Sequence, residues 1–590
     1  MDDIMRTIAH QTSILDLPKE ILLEIFSYFD SKFPFHDPSA YRKPQASEAR
    51  DRLGFFGSNR LVCRSFNELI SPLLCPVISV SLSSRSMDRL EGLSRNPLIA
   101  QGIRGISISL LFRPHAIATS FSRYHAYADS LLRKLEGECD YHTEFQEYEQ
   151  ADNSDDAVAW RNYGDAWEEI LKLRRAWRDL MEDENSLCDS LQQIYIAKPN
   201  SRADGGDQTA IGAKAILRSC FEKYAMAHAD ETSIISDGSF IYSVVRTLSR
   251  CGSCNFVWFN EDQLGEEIPR KKAIAIATDE SALVQALTQG HEWLSIEDTL
   301  CKDDDDSELF FPASILTELP IACHNAKLHL RGISIGCFPL LRGYRCLLQA
   351  TNSVEDTVDS DPWARFAAAC AGLKIFEFGR HGMNCAPLRP ARQSASDLAT
   401  IDGFIGAAIS GSNLQNLHIT MHAFQVRQGR PEKKFPYPGS SILAAIRTTQ
   451  LRKVLLDAIG ICEQSLLALA SSRHLTNFHL TSVTLSRGRY AMAMSLLHEI
   501  VVSRKSNNVS PPSIHLTSLQ GAEFGEPSTF DDDNNSWLWG SDEEQHAFWK
   551  RLKKHMHPEL LTRVEQWISD GCAGETNPLS AVSQTLLVSP

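Results

Sequence analysis

The chain lacks the hydrophobic runs that membrane proteins and secreted proteins carry. No stretch of its 590 residues reaches the roughly 18 consecutive apolar residues that a membrane-spanning helix needs. The longest apolar stretch, residues 366–378, is shorter and contains Lys374. The N-terminal sequence has acidic residues at positions 2 and 3 and no apolar run behind a basic start, unlike a secretory signal. We therefore expect no signal peptide and no membrane partner.

Cysteine and basic residues are both scarce. The 15 cysteines are an odd number without regular spacing, which argues against a disulfide framework and favours a reducing compartment, cytosol or nucleus. Lys and Arg together number 59 against 74 Asp and Glu, which gives a net charge of -15. Such a charge does not attract phosphate backbones over long range, so nucleic acid is not predicted as a partner.

Signatures of enzymes and metal proteins are also missing or incomplete. The sequence contains no Walker phosphate loop, no dinucleotide-binding fingerprint and no zinc-protease motif. Cys251 and Cys254 have the spacing of half a zinc site but lack a second pair. Residues 332–336 match the Gly-x-Ser-x-Gly motif of serine hydrolases, although Pro339 disfavours the helix that should follow. We predict no enzyme, no cofactor and no metal ion, with a serine hydrolase that uses Ser334 as a remote alternative.

Two helical patterns near the N-terminus are rich in apolar residues. The first has Pro18 in its first turn and Glu20 near the positive end of the helix dipole. Its apolar face comprises Leu17, Ile21, Leu22, Ile25, Phe26 and Phe29. A polar loop is predicted from about 31 to 58, followed by a second helix over 59–74 that Pro72 ends or kinks. From the pattern alone, this hairpin could equally be a core piece of a larger domain.

The same residues resemble a known family. Leu-Pro-x-Glu-Ile-Leu-x-x-Ile-Phe at 17–26, Arg-Leu-Val-Cys-Arg-x-Phe-Asn at 60–67 and Ser-Pro-Leu-Leu at 71–74 are similar to the F-box. The resemblance implies a three-helix module that binds the Skp adaptor of a cullin-based ubiquitin ligase. The adaptor-binding residues that it implies are Leu17, Pro18, Ile21, Leu22, Ile25, Phe26, Phe29, Leu61, Val62, Cys63 and Phe66. The loop between the two motifs is longer than this family usually shows.

A six-residue template recurs through the body of the chain, with apolar residues at its first, fourth and sixth positions, as in the strands of leucine-rich repeats. Clear instances start at Leu191, Leu373, Leu414, Leu451 and Leu475, and looser ones at Ile103, Cys251, Asn325 and Pro511. Helical patterns lie between them, which favours a parallel sheet. A solenoid of this type keeps one continuous concave strand surface free for a ligand. An ordinary compact α/β domain is the alternative.

The predicted fold class is α/β: all-α F-box helices over residues 1–80, then an irregular leucine-rich-repeat-like α/β solenoid over 81–520, with a helical insertion at about 120–186. Residues 521–590 are predicted to hold an acidic linker, an amphipathic helix over 546–568 and a flexible tail. Phe548, Trp549 and Trp567 of this helix are expected to pack back on the body as a cap. The predicted function is a substrate-recognition adaptor of a Skp-cullin-F-box ubiquitin ligase. It would bind the Skp subunit, through it a cullin, and an unidentified protein target. A scaffold that binds the Skp subunit without cullin is the alternative.

Overall fold

The computed structural model shows a mixed α/β protein built on a nine-stranded parallel sheet. The residues described are 14, 17–31, 46–144, 165–181, 208–260, 275–276, 278–293, 311–339, 346–347, 361, 363–379, 395–424, 426–428, 433–524, 558–571 and 576–580.

Three helices and a 3-10 turn precede the sheet. They are α1 (Lys19–Ser31), α2 (Ala46–Asn59), α3 (Arg64–Ile70) and the turn Ser71–Leu73. Helix α2 falls where the sequence predicted a polar loop, so that prediction is wrong for residues 46–58. The glycines in α2 disfavour a helix, but Phe56 is only 1% exposed and its burial offsets that preference. The second predicted helix begins at Arg64 rather than at Asn59.

Nine strands follow one another across the sheet in chain order, and each pair of neighbours is parallel. They are β1 (Val77–Ser81), β2 (Gly105–Ser109), β3 (Phe256–Asn260), β4 (Gly332–Ile335), β5 (Ile375–Phe378), β6 (Asn416–Thr420), β10 (Lys453–Asp457), β12 (Asn477–Thr481) and β14 (Ser513–Thr517). A smaller parallel sheet has the order β13 (Thr484–Arg487), β11 (Ile459–Cys462), β9 (Tyr437–Pro438), and β7 (Val426–Gln428) pairs with β8 (Lys433–Phe435) as an antiparallel hairpin.

Helices fill the connections between the strands, as the alternating sequence patterns predicted. They are α4 (Ser84–Arg95), α5 (Pro97–Ala100), α6 (His115–Ala118), α7 (Phe121–Glu144), α8 (165–181), α9 (Gln208–Ser236), α10 (Ser239–Arg250), α11 (Glu280–Thr288), α12 (Ile315–Asn325), α13 (Ala364–Cys370), α14 (Ala395–Ile409), α15 (Ser440–Ala444), α16 (Glu463–Ala470), α17 (Tyr490–Ser506) and α18 (Pro558–Asp570).

The main core lies between these helices and one face of the large sheet, here called the core face. The strands are in register, so the same two positions of every strand point into the core. The first of these rows is Ile78, Ile106, Val257, Ile333, Phe376, Leu417, Val454, Phe478 and Ile514. All nine side chains are at most 9% exposed. This continuous apolar ladder holds the strands together across the sheet.

Most of the predicted six-residue templates coincide with strands. Those starting at Ile103, Leu373, Leu414, Leu451, Leu475 and Pro511 place their fourth and sixth residues on the core face. The templates starting at Cys251 and Asn325 are displaced, because the observed strands β3 and β4 match the template from Cys254 and Leu330. Strand β1 was not predicted, and the template at Leu191 lies outside the described residues.

A second core lies among helices α7, α8, α9 and α11. The first three precede strand β3 in the sequence, and α11 follows it. Trp177 of α8 is fully buried there, and its indole donates a hydrogen bond to the carbonyl of Ala213 at 2.9 Å. The predicted insertion at about 120–186 covers α7 and α8, but the helices of this cluster continue through α9 to Ser236. The insertion is therefore larger than the aromatic and charged pattern indicated.

Helix α18 packs against the last strand and against α17. Trp567 stacks on His498, with ring centroids 4.1 Å apart, and Glu565 accepts a hydrogen bond from the amide of Leu516. The predicted amphipathic helix over 546–568 is thus present from Pro558 onward. Phe548 and Trp549, predicted to pack with it, lie outside the described residues.

The second face of the sheet is closed over its central strands. Phe256 and Trp258 stack on each other at 4.2 Å and form a small cluster with Ile375. Ser334 and Glu377, on the neighbouring strands, are 2% and 3% exposed. The expectation of one continuous free strand surface is therefore wrong over β2 to β5. The template specifies only the core-facing positions. On the other face, the large rings of Phe256 and Trp258 fill the space above the neighbouring strands, and the residues beside them are buried as well.

Gly332 makes room for one of these aromatic rings, because a Cβ at this position would overlap the ring of Phe256. We expect Gly332→Ala to lower the free energy of unfolding by about 1–3 kcal/mol, since the extra methyl overpacks a closed site. Gly92→Ala is the matched control: its Cβ would meet open space on helix α4, so a gain of about 0.5–1 kcal/mol is expected. Urea denaturation of both variants checks the pair, and an unchanged Gly332→Ala midpoint contradicts the packing argument.

Candidate functional site

Helix α1 has exposed apolar side chains on both flanks of its buried side. Leu22 and Phe26 are 2% and 3% exposed and belong to the main core, whereas Ile21 and Leu23, two residues apart and therefore on different flanks, are 43% and 46% exposed. Ile25 is half-buried on the flank of Ile21. Apolar side chains that stay exposed beside a buried helix side are available to a partner that covers them.

The turn between α2 and α3 displays two more apolar residues. The amides of Leu61 and Val62 donate hydrogen bonds to the carbonyls of Ser58 and Asn59, each at 3.1 Å. Cys63 then has an extended backbone, and its sulfur accepts a hydrogen bond from the amide of Phe66 at 3.4 Å, which caps α3. This geometry turns Leu61 and Val62 outward, where they are 77% and 58% exposed.

Aromatic packing holds α1 on α3. The rings of Phe26 and Phe66 meet edge to face, with centroids 5.2 Å apart. Such a contact contributes about 0.5–1.5 kcal/mol beyond the burial of area. At the surface, Lys19 of α1 lies 3.5 Å from Glu68 of α3 in an exposed ion pair that contributes little. The hairpin is therefore fixed mainly by its apolar interior.

The structure divides the eleven residues predicted to bind an adaptor into four groups. Exposed are Pro18, Ile21, Leu61 and Val62; half-buried are Leu17, Ile25 and Cys63; buried are Leu22, Phe26 and Phe66; and the side chain of Phe29 lies outside the description. The three buried side chains support the hairpin from inside. A partner would reach them only if the helices separated.

Three exposed apolar residues of this region, Ile14, Leu23 and Leu53, were missed by the sequence analysis. Leu23 was missed because it falls on the otherwise polar side of α1, and Leu53 because α2 was taken for a loop. Leu53 is 52% exposed. A helical spacing of Leu53 to Phe56 was the signal that could have revealed it.

Exposed apolar side chains are concentrated in this part of the chain. Within the described residues, the large apolar side chains that stay exposed are Ile14, Ile21, Leu23, Leu53, Leu61, Val62, Met226, Tyr242, Met492 and Val509. Six of these ten lie between residues 14 and 62, and the other four are scattered over the rest of the sequence. We call Ile21, Leu53, Leu61 and Val62 the apolar surface.

The residues considered for catalysis and metal binding lie elsewhere. Ser334 is in the middle of strand β4, paired with β3 and β5, and not at a turn between a strand and a helix. The nucleophile elbow that the hydrolase alternative requires is therefore not formed at this serine. Cys251 and Cys254 are buried, and burial raises the pKa of the Cys251 thiol to about 11. Across the described ranges, no three His, Cys, Asp or Glu side chains converge to hold a metal ion.

No helix in the described part of the chain combines the length and hydropathy that a membrane crossing requires. Comparison with known proteins finds no matching family model, no similar curated protein and no similar solved structure.

Proposed function

We propose that this protein is a substrate-recognition adaptor of a Skp-cullin-F-box ubiquitin ligase. Its N-terminal hairpin would bind the Skp subunit, and its leucine-rich-repeat-like body would bind a protein target. The observation that carries the proposal is the concentration of exposed apolar side chains at Ile21, Leu53, Leu61 and Val62. Ile21 lies in the first motif that resembles the F-box, and Leu61 and Val62 lie in the second.

The energetics of the apolar surface favour a partner. Burying one large apolar side chain fully contributes about 1.5–3 kcal/mol. Several such side chains on one rigid hairpin can therefore offset the entropy lost on association. The aromatic contact of Phe26 with Phe66 and the burial around it keep α1 and α3 in a fixed arrangement before binding. A preformed surface loses less conformational entropy when it docks.

The body of the chain supports the second half of the proposal. Nine parallel strands in chain order, each with the same two positions in the core, are the arrangement expected of a repeat solenoid. An adaptor of this type contributes no catalytic group. It raises the effective concentration of the target near a ubiquitin-carrying enzyme, and proximity then accelerates the transfer.

Co-purification of the full chain with a Skp-family adaptor and a cullin tests the proposal. A stable complex of all three on size-exclusion chromatography is the expected result. A complex with the Skp subunit that excludes cullin at matched concentrations would favour the scaffold alternative. Absence of binding to the Skp subunit would overturn both.

A further inference from the structure

The residues that directly precede the first eight strands of the large sheet form one continuous edge. From the second strand onward, the amide of this residue donates a hydrogen bond to the carbonyl of the equivalent residue before the neighbouring strand, at 2.6–3.2 Å. The resulting row is Pro76, Arg104, Asn255, Arg331, Lys374, Gln415, Arg452 and Thr476. Neighbouring positions on this row lie about 4.8 Å apart, the spacing of strands in a sheet.

Four of the positions on this row are basic and none is acidic. We call Arg104, Arg331, Lys374 and Arg452 the basic edge. Arg104, Arg331 and Arg452 are exposed and Lys374 is half-buried. None of the four is ion-paired within the described residues. From Arg104 to Arg452 the row spans five strand spacings, or roughly 24 Å.

The loops that lead into the strands have the same bias. These connecting segments, the first of which includes the short helix α5, are 96–104, 251–255, 326–331, 371–374, 410–415, 447–452, 471–476 and 507–512. They hold seven basic residues, the basic edge with Lys327, Arg447 and Arg473, and contain no Asp or Glu. This is the opposite of the whole chain, whose net charge is -15. A positive strip on an acidic protein is a local feature that the average composition hides.

A cleft adjoins the basic edge at its N-terminal end. Its volume is about 640 Å³, and its lining includes Arg95, Gln101, Arg250 and Ser253. The guanidinium of Arg104 donates a hydrogen bond to the carbonyl of Gln101 at 3.2 Å, so the cleft and the edge are continuous.

The arginines of the cleft are only partly neutralised. Glu91 lies 2.8 Å from Arg95, 3.1 Å from Arg246 and 3.6 Å from Arg250. One carboxylate thus serves three guanidinium groups, and positive charge is left in excess. The cleft extends the basic edge and presents donors that suit a carboxylate or phosphate group.

We propose that the basic edge and its cleft bind an acidic, extended polypeptide segment of the target. In an extended strand, alternate residues lie on one side about 6.6–6.8 Å apart, a distance between the roughly 4.8 and 9.6 Å that separate successive residues of the basic edge. The long, flexible Arg and Lys side chains can take up this difference. A segment of about eight residues would span the edge. Nucleic acid fits less well, because the net charge of -15 opposes its approach over long range. This assignment names the chemistry of the target and so rests on the proposed function.

Fluorescence anisotropy with a labelled peptide of about ten alternating Glu and Ser residues tests the assignment on the full chain. We expect Arg104→Glu with Arg331→Glu and Arg452→Glu to weaken binding at least about tenfold. The matched control is Arg85→Glu with Arg175→Glu and Arg178→Glu, which makes the same charge change at exposed sites away from the edge. Its affinity should stay within about twofold.

Further arms separate the sources of the effect. The same peptide with phosphoserine in place of serine should bind more tightly, the peptide with Gln in place of Glu should not bind, and salt near 0.5 M should weaken binding. The triple variant with Gln in place of Arg104, Arg331 and Arg452 introduces no repulsion and should also bind the peptide more weakly than the wild type. Thermal melting checks that all variants fold. No binding to the wild type, equal losses in both Glu triples, or tighter binding of a single-stranded RNA would overturn the assignment. The variant Ile21→Asp with Leu61→Asp should bind the peptide normally, so failure of adaptor docking is distinguishable.

Discussion

Replacing Ile21 and Leu61 by aspartate is expected to abolish capture of a Skp-family adaptor while the chain keeps its fold. Both side chains are exposed, at 43% and 77%, so the free protein loses little when they change. In a complex, each aspartate would place an unpaired charge in an apolar interface, where desolvation is costly. The double variant should weaken binding by more than about 100-fold, measured by pull-down and by calorimetry with purified adaptor.

Met226 and Tyr242 provide the matched control. They are exposed apolar residues of the same chain, at 73% and 67%, and lie outside the N-terminal hairpin. Met226→Asp with Tyr242→Asp should leave adaptor capture unchanged. Equal retention of adaptor by both double variants would show that the apolar surface is not the docking site. Equal loss would point to a general effect of added negative charge.

Replacing Arg113 by methionine is expected to lower the free energy of unfolding by about 3–5 kcal/mol. Arg113 ties the end of strand β2 to the helical cluster. Its guanidinium pairs with Glu231 of α9 and donates to the carbonyl of Thr288 at 2.6 Å, and its own carbonyl lies 2.6 Å from the Nδ1 atom of His228. Glu231 is 2% exposed, so the variant would leave a buried carboxylate without its cation. Urea denaturation followed by tryptophan fluorescence measures the loss.

The size of this loss should depend on pH. Burial raises the pKa of the Glu231 carboxyl to about 7, and Arg113 opposes that rise. Because the folded protein holds this proton more tightly than the unfolded chain, Glu231 makes folding more favourable as the pH falls from about 7 towards 4.5. Without Arg113 the pKa should rise further. The deficit of Arg113→Met should therefore be larger near pH 8 than near pH 5.

Two further variants show whether the buried pair is responsible. Combining Arg113→Met with Glu231→Leu should restore most of the stability and remove the extra pH dependence, since no buried charge remains. Lys172→Met, which breaks an exposed pair with Glu169 at 2.8 Å, should leave the free energy of unfolding nearly unchanged. A loss in Arg113→Met no larger than that in Lys172→Met would contradict the structural role assigned to the buried pair.

The sequence was most informative where a short period repeats on one side of an element. The alternation in Leu451 to Leu456 and in Leu475 to Leu480 places strands β10 and β12 correctly, because residues two apart on a strand point into the same core. It failed where a small residue begins the strand, as at Gly332, or where apolar residues occupy both sides, as in β3. In these segments the six-residue template fits the sequence at more than one starting residue. The packing of Phe256 and Trp258, with Gly332 beneath the ring of Phe256, determines which residues form the strand.

At the N-terminus, the sequence alone determined which residues are apolar and that α1 is a helix. It did not determine which apolar residues face inward, because that depends on how α2 and α3 pack on α1. The ring of Phe66 packs edge to face on Phe26, and Leu22 and Phe56 are buried in the same core. Ile21, on a flank of α1, stays exposed.

The basic edge likewise exists only in three dimensions. Arg104 and Arg452 lie far apart along the chain, and composition assigned the molecule an acidic character. The parallel sheet brings the entry of every strand to one edge, so scattered basic residues become neighbours. Local patterning thus determined most of the strands and helices of this protein, with α2 and β1 as exceptions. The arrangement of its surfaces was decided by tertiary packing, because the distance between residues of different strands is set by the sheet and not by their separation in the chain.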